Sequence, residues 1–132
     1  MEQFLNTVSE AAPWLGTALL VLIFLANAFG VLDQSVAARE LTAAHVPRAK
    51  ARVLVLLGRL LQAIAAPCLF IPTTRFFAAF AIAGFMIAAT LTAHAFWKTP
   101  ASSGASRDHQ LAQFLKNVAI IGGLLVIAGW RG

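Results

Sequence analysis

The sequence predicts an all-α fold: a four-helix transmembrane bundle with a short amphipathic helix in its first long loop. Three observations predict it. The 132 residues are 60% hydrophobic and 11% charged, with a mean hydropathy of +0.81, whereas a soluble domain carries roughly 25% charged and about 45–50% apolar residues. Four separate apolar runs reach the about 20 residues that a helix needs to cross a bilayer. None of the four alternates apolar with polar residues, as a membrane strand of about 10 residues would. Backbone in lipid must pair within its own segment, so the runs are expected to be helices. Together they make one membrane domain covering residues 1–132.

The first span runs from Pro13 to Leu32 and contains LGTALLVLIFLANAFGVL without a charge. Pro13 is expected in its first turn, where no backbone donor is lost. Upstream, Phe4, Leu5, Val8 and Ala12 recur at helical spacing, so the first dozen residues are expected to lie along the interface. Glu2 and Glu10 and the long apolar run speak against a cleaved signal peptide and for an uncleaved anchor. Between Asp33 and Arg52, Asp33 or Ser35 can cap a short helix. Val36, Ala37, Leu41 and Ala44 share one of its faces and Pro47 ends it, which predicts a surface-lying amphipathic helix. The second span, Val53 to Pro72, is interrupted by Arg59 and Gln62, and Pro67 is expected to bend it or loosen its hydrogen bonds. PTTR, Pro72 to Arg75, reads as a tight turn that pairs spans two and three antiparallel. The third span is Phe76 to Trp97. Lys98 to Gln110 is small, polar and Gly/Pro-containing, the composition of a loop. The fourth span is Leu111 to Trp130. Trp14, Trp97 and Trp130 all fall at predicted membrane interfaces, where indoles are favoured.

Charge supports the same picture. The net charge of +5 comes from ten Lys and Arg, spread singly beside the apolar runs rather than gathered in a patch. They read as flanks of membrane spans, and no nucleic-acid partner is expected. Arg39, Arg48, Lys50, Arg52, Lys98 and Arg107 lie on the long-loop side, against Arg75 and Arg131 on the other. This bias predicts cytoplasmic long loops and outside termini.

At a rise of about 1.5 Å per residue, the intramembrane polar residues fall at one depth. Asn27, Arg59, Gln62, Thr90, His94, Lys116 and Asn117 share the leaflet nearest the long loops. Groups of this kind face a bundle interior or snorkel to the surface. Snorkelling is the competing reading for Arg59 and Lys116, and plain packing the competing reading for His94. Convergence from four helices makes His94, Arg59, Gln62, Asn117, Lys116 and Asn27, with Trp97 beside them, the candidate ligand site. His94 is expected at its centre, with a side-chain atom of Asn117, Gln62, Lys116 or Arg59 within hydrogen-bond reach of the ring or a cavity beside it. No carboxylate lies within a span, which disfavours a proton relay. A cationic, amide-rich site suits a neutral carbonyl compound such as a quinone, or a small anion.

Other chemistry is excluded by residue count. A two-histidine haem needs histidines on facing spans, but only His94 is in a span. His45 and His109 are in loops, and Met86 is on the same helix as His94. Cys68 has no neighbour at metal-ligand spacing. There is no Ser-His-Asp set, phosphate loop or dinucleotide fingerprint. No metal, covalent cofactor or catalytic residue is predicted, and no activity of the chain alone. Gly84, Ala88 and Thr92, and Ala119 with Gly123, form small-residue ridges that allow close helix packing.

The stretch Thr90 to Leu125 resembles the DoxX-like family of small four-span bacterial membrane proteins. ATLTAHAFWKTP is similar to the family's His-x-Phe-Trp ending of span three, and FLKNVAIIGGLLVIAG to its Lys-Asn-x-x-x-x-Gly-Gly start of span four. His94, Phe96, Trp97, Lys116, Asn117, Gly122 and Gly123 carry the likeness. HVPRAK and TTRFFAA match more loosely. The resemblance implies a multi-pass protein of the bacterial inner membrane, working as an accessory or quinone-contacting subunit of a respiratory, sulfur-oxidising or oxidative-stress redox assembly. Its partners would be the lipid bilayer and a redox protein or further copies of the chain. A small oligomeric transporter of an anion or metabolite, and a pure assembly scaffold, are the alternatives.

Overall fold

The computed structural model describes residues 1–31, 34–100, 102 and 104–132. The apolar runs form helices as their composition requires: α1 Glu2–Ala28, α3 Arg48–Cys68, α4 Pro72–Ala93 and α5 Gly104–Gly129, with the short α2 Gln34–Ala43 between the first two and a 3-10 turn at Phe96–Lys98. No strand occurs among the described residues. All four long helices are long and apolar enough to cross a membrane, which makes the chain a multi-pass membrane protein.

The helices close a ring in chain order. α1 lies beside α3, α3 beside α4, α4 beside α5 and α5 beside α1, while α2 lies across α3 and α4. Each neighbour is antiparallel. The core is built from Val21 and Phe24 of α1, Ala65 and Ala66 of α3, Ala79, Ile82 and Met86 of α4, and Leu124 and Ile127 of α5. Large apolar side chains also cover the outside, among them Leu19, Leu22, Leu60, Ile64, Phe77, Leu91 and Val126. Such a surface would be costly in water and is the natural one in hydrocarbon.

Glycine sets two of the close approaches. A Cβ on Gly58 would stand 2.6 Å from the Phe85 ring, so its absence lets α3 and α4 meet. Gly30 ends α1 with φ of 75°, a conformation that glycine enters without strain. Val31 N–H then closes back on Ala26 O at 2.9 Å.

Several boundaries differ from the sequence expectations. α1 begins at Glu2, not near Pro13, so Pro13 is inside a 27-residue helix and cannot donate to the carbonyl four residues back. Thr17 Oγ1 donates to Pro13 O at 2.8 Å. Pro67 is the penultimate residue of α3, so it marks the helix end and not a mid-span bend. PTTR is the first turn of α4, with Pro72 at its start. The connection is Leu69–Ile71, tightened by bonds such as Ile71 N–H to Cys68 O at 3.2 Å. α4 stops at Ala93, and His94 is its C-cap. The second long loop is shorter than expected because α5 starts at Gly104. Asp33 and the side chains of Ser35, Val36 and Ala37, expected to cap and face α2, lie outside the described residues.

Candidate functional site

The two ends of the bundle are built differently. At the long-loop end a cavity of about 670 Å³ opens among all five helices. Ile23, Phe24 and Asn27 line it from α1, Glu40 and Leu41 from α2, and Gly58, Arg59 and Gln62 from α3. Phe85, Met86, Thr92 and Ala93, then His94, line it from α4 and its cap, and Lys116, Asn117 and Ile120 from α5. The size falls in the range of about 300–1,000 Å³ typical of small-molecule sites. Leu54 and Leu57 of α3 and Ala88 and Thr92 of α4 also line it and are exposed. The cavity therefore reaches the outer surface of the bundle between α3 and α4.

Its polar groups are fixed one by one. Gln62 is buried; its Nε2 donates to Gly58 O at 3.0 Å, and its Oε1 accepts from Asn27 Nδ2 at 2.7 Å. Asn117, also buried, donates from Nδ2 to Thr90 Oγ1 at 3.0 Å. These pairs meet the rule that buried polar groups find partners. Arg59 donates from Nε to Ala28 O at 2.8 Å, placing its charge at the negative end of the α1 dipole. Gly30 lacks the Cβ that would approach Arg59 Nη2 to 3.2 Å. Lys116 Nζ donates to Gln113 Oε1 on its own helix and is exposed.

His94 leaves the α4 axis as the C-cap, and this changes its neighbours. Its Nδ1 lies 3.1 Å from Gln110 Oε1, and its Nε2 lies 3.9 Å from Glu40 Oε2. The second distance is too long for a hydrogen bond. With Nδ1–H donating to Gln110, a neutral ring keeps Nε2 as an acceptor. No hydrogen bond joins His94 to Asn117, Gln62, Lys116 or Arg59 among the described residues, but all four line the same cavity. Six of the seven expected residues line it together. Trp97 does not: it is exposed and stacks edge-on against Phe96 and Phe114.

Sequence reasoning missed Glu40 and Gln110. Both were assigned to connections outside the spans. The early start of α5 brings Gln110 onto a helix, and α2 carries Glu40 to the cavity. The signal was available beside Leu41, which was expected on the apolar face of α2. The cavity thus holds a carboxylate, and it comes from α2 rather than from the four long helices.

Arg75 was also misplaced. The sequence put it on a surface turn, but it is 1% exposed. Nε donates to Leu69 O at 2.9 Å, Nη1 to Trp130 O at 3.2 Å and Gly132 O at 3.4 Å, and Nη2 to Phe70 O at 3.5 Å. The guanidinium stacks 4.0 Å from the Trp130 ring and 5.8 Å from Trp14. Trp14 meets Trp130 edge-on at 4.7 Å. One cation thus closes the terminal end by binding carbonyls just past the ends of α3 and α5.

No group of three or more His, Cys, Asp or Glu that could hold a metal occurs among the described residues. Cys68 Sγ donates to Ile64 O at 3.2 Å. What the cavity can do chemically is hold an amphipathic molecule: amides, a guanidinium and an imidazole surround its polar part, and Leu54, Leu57, Phe85 and Ile120 its apolar part. Comparison with protein-family models, with curated proteins and with solved structures found no match.

Proposed function

We propose that this multi-pass protein is a membrane subunit that holds a neutral, lipid-soluble carbonyl compound of the quinone class for a redox partner. The observation that carries the reading is the cavity itself, lined mostly by apolar side chains with a few polar groups among them and open between two membrane helices. A quinone head needs donors to its carbonyl oxygens, and Arg59, Asn117 and Lys116 are donors lining the cavity. Its tail needs an exit into hydrocarbon, which Leu54, Leu57 and Ala88 border. The likeness of the Thr90–Leu125 stretch to DoxX-like proteins points the same way, toward a bacterial inner-membrane redox assembly, and the Lys/Arg bias puts the long loops in the cytoplasm. The chain contributes binding and orientation, and the redox partner supplies the electrons.

The rival reading, transport of a small anion, draws support from Arg59 and Lys116 in the lining. Glu40 at the same cavity weighs against it. Extraction in mild detergent, followed by mass spectrometry of bound lipids and proteins, separates the two. Co-purification of a quinone with a redox enzyme is the expected result. Anion flux in liposomes containing only this chain, with no bound quinone, would replace the reading by transport.

A further inference from the structure

We infer that the first three turns of α1 form a lipid-surface anchor, hinged at Pro13, that lies in the headgroup region at the terminal end of the bundle. Every residue before Pro13 is exposed, although the helix is continuous from Glu2 to Ala28. The segment therefore extends past the bundle and needs a partner for its apolar side chains. Phe4 is 67% exposed and Leu5 56%.

Helix phase says what that partner is. Residues eighteen apart complete about five turns and share one direction. Gln3, Asn6 and Glu10 thus point as Val21, Phe24 and Ala28 do, and those three are buried against the bundle. Phe4 and Leu5 point as Leu22 and Ile23 do, which are exposed on the lipid side. The polar face of the extension is on the bundle side, and its apolar face continues the lipid-facing stripe. Bending the extension outward turns that apolar face down onto the membrane and the polar face up to water.

Pro13 supplies the bend and its direction. It removes one helix hydrogen bond and crowds the carbonyl four residues back, so a helix opens on the proline side and bends away from it. Pro13 is half-buried, on the bundle side, so the bend is outward. Its depth is right as well, because Trp14 and Trp130 meet beside it, and indoles mark the headgroup level. The chain has no Lys or Arg before Arg39, while Glu2 and Glu10 lie in the extension. Attraction of Lys or Arg side chains to anionic headgroups therefore plays no part, and the partner is the apolar edge of a zwitterionic surface.

The test uses the full chain with Cys68→Ala, reconstituted in phosphatidylcholine vesicles. Spin labels are placed singly through Gln3→Cys, Phe4→Cys, Val8→Cys and Glu10→Cys. Labels at Phe4 and Val8 are expected to relax with oxygen in preference to a water-soluble nickel chelate, and labels at Gln3 and Glu10 the reverse. Adding phosphatidylglycerol should leave the pattern unchanged. Pro13→Ala should shift the Phe4 and Val8 labels toward the nickel chelate. All four labels in water would overturn the anchor. Shielding of Phe4 and Val8 from both reagents would also overturn it, in favour of a second copy or another protein on this face. Lipid contact that survives Pro13→Ala would overturn the hinge.

Discussion

The bundle has an arginine at each end, and the two are used in opposite ways. Arg75 at the terminal end is buried, donates from all three nitrogens and packs against a pair of indoles. Arg59 at the loop end is half-buried, donates to Ala28 O in the last turn of α1 and otherwise borders the cavity. Both set a positive charge against helix carboxyl ends, where the dipole is negative. The difference is in what surrounds the rest of the guanidinium. Tryptophan rings and four carbonyls fill the space around Arg75. Around Arg59 the space is empty enough for a ligand. The same side chain is thus a fastener where packing is complete and a binding group where it is not.

Substitution should break this contrast most visibly at Arg75. Arg75→Met leaves the carbonyls of Leu69, Phe70 and Trp130 without their shared donor. It should lower stability by about 3 kcal/mol or more, since hydrogen bonds to charged groups are worth about 1.5–3 kcal/mol each. Thermal unfolding in detergent measures it. Arg75→Lys should recover only part of the loss, because an ammonium lacks the planar fork and stacking surface.

Next in size is Gln62→Leu, which removes the side chain joining α1 to α3. A cost of about 1–2 kcal/mol is expected from the Asn27 and Gly58 bonds, with ligand binding weakened as well. Loss of binding at unchanged melting temperature would mean that Gln62 serves the ligand alone.

Arg59→Leu sharpens the comparison from the other side. Among the described residues only the bond to Ala28 O is lost, and removing a cation from a membrane helix is itself favourable by up to about 2.5–3.5 kcal/mol on insertion scales. The melting temperature should hold or rise while ligand binding falls. A collapse in stability like that of Arg75→Met would make the two ends alike.

Gly58→Ala should have the smallest effect. The new methyl meets the Phe85 ring at 2.6 Å and pushes it toward the cavity. Overpacking costs about 1–3 kcal/mol, and ring rotation places this site at the lower end. A narrowed cavity should bind a bulky quinone less well than a small one.

Much of this was legible in the sequence, for physical reasons. Lipid imposes helices on apolar runs, so four spans follow from hydropathy alone. The same depth arithmetic gathered Asn27, Arg59, Gln62, His94, Lys116 and Asn117 around one cavity. Arg75 was misread because hydropathy treats a charge beside an apolar run as its flank. Its spacing to Ala78, Ala79 and Ile82 places it on the buried face of α4, a helix-phase signal that hydropathy averages away. Glu40 and Gln110 were hidden for a different reason. Their approach to His94 depends on where α4 stops and α5 starts, and such boundaries are set by packing rather than by composition. The start of α1 at Glu2 was missed because Pro13 looks like a first-turn residue when apolar content alone defines the span.

The central claim is that the loop end is a ligand site and the terminal end is not. Titration of a short-chain ubiquinone analogue into the chain in nanodiscs, followed by calorimetry, tests it most directly. The account predicts saturable binding at one site, weakened about tenfold or more by His94→Leu or Arg59→Leu, as loss of about 1.4 kcal/mol would give, and unchanged by Cys68→Ala near the terminal end. Absence of saturable binding, or binding that is indifferent to His94 and Arg59, would contradict it.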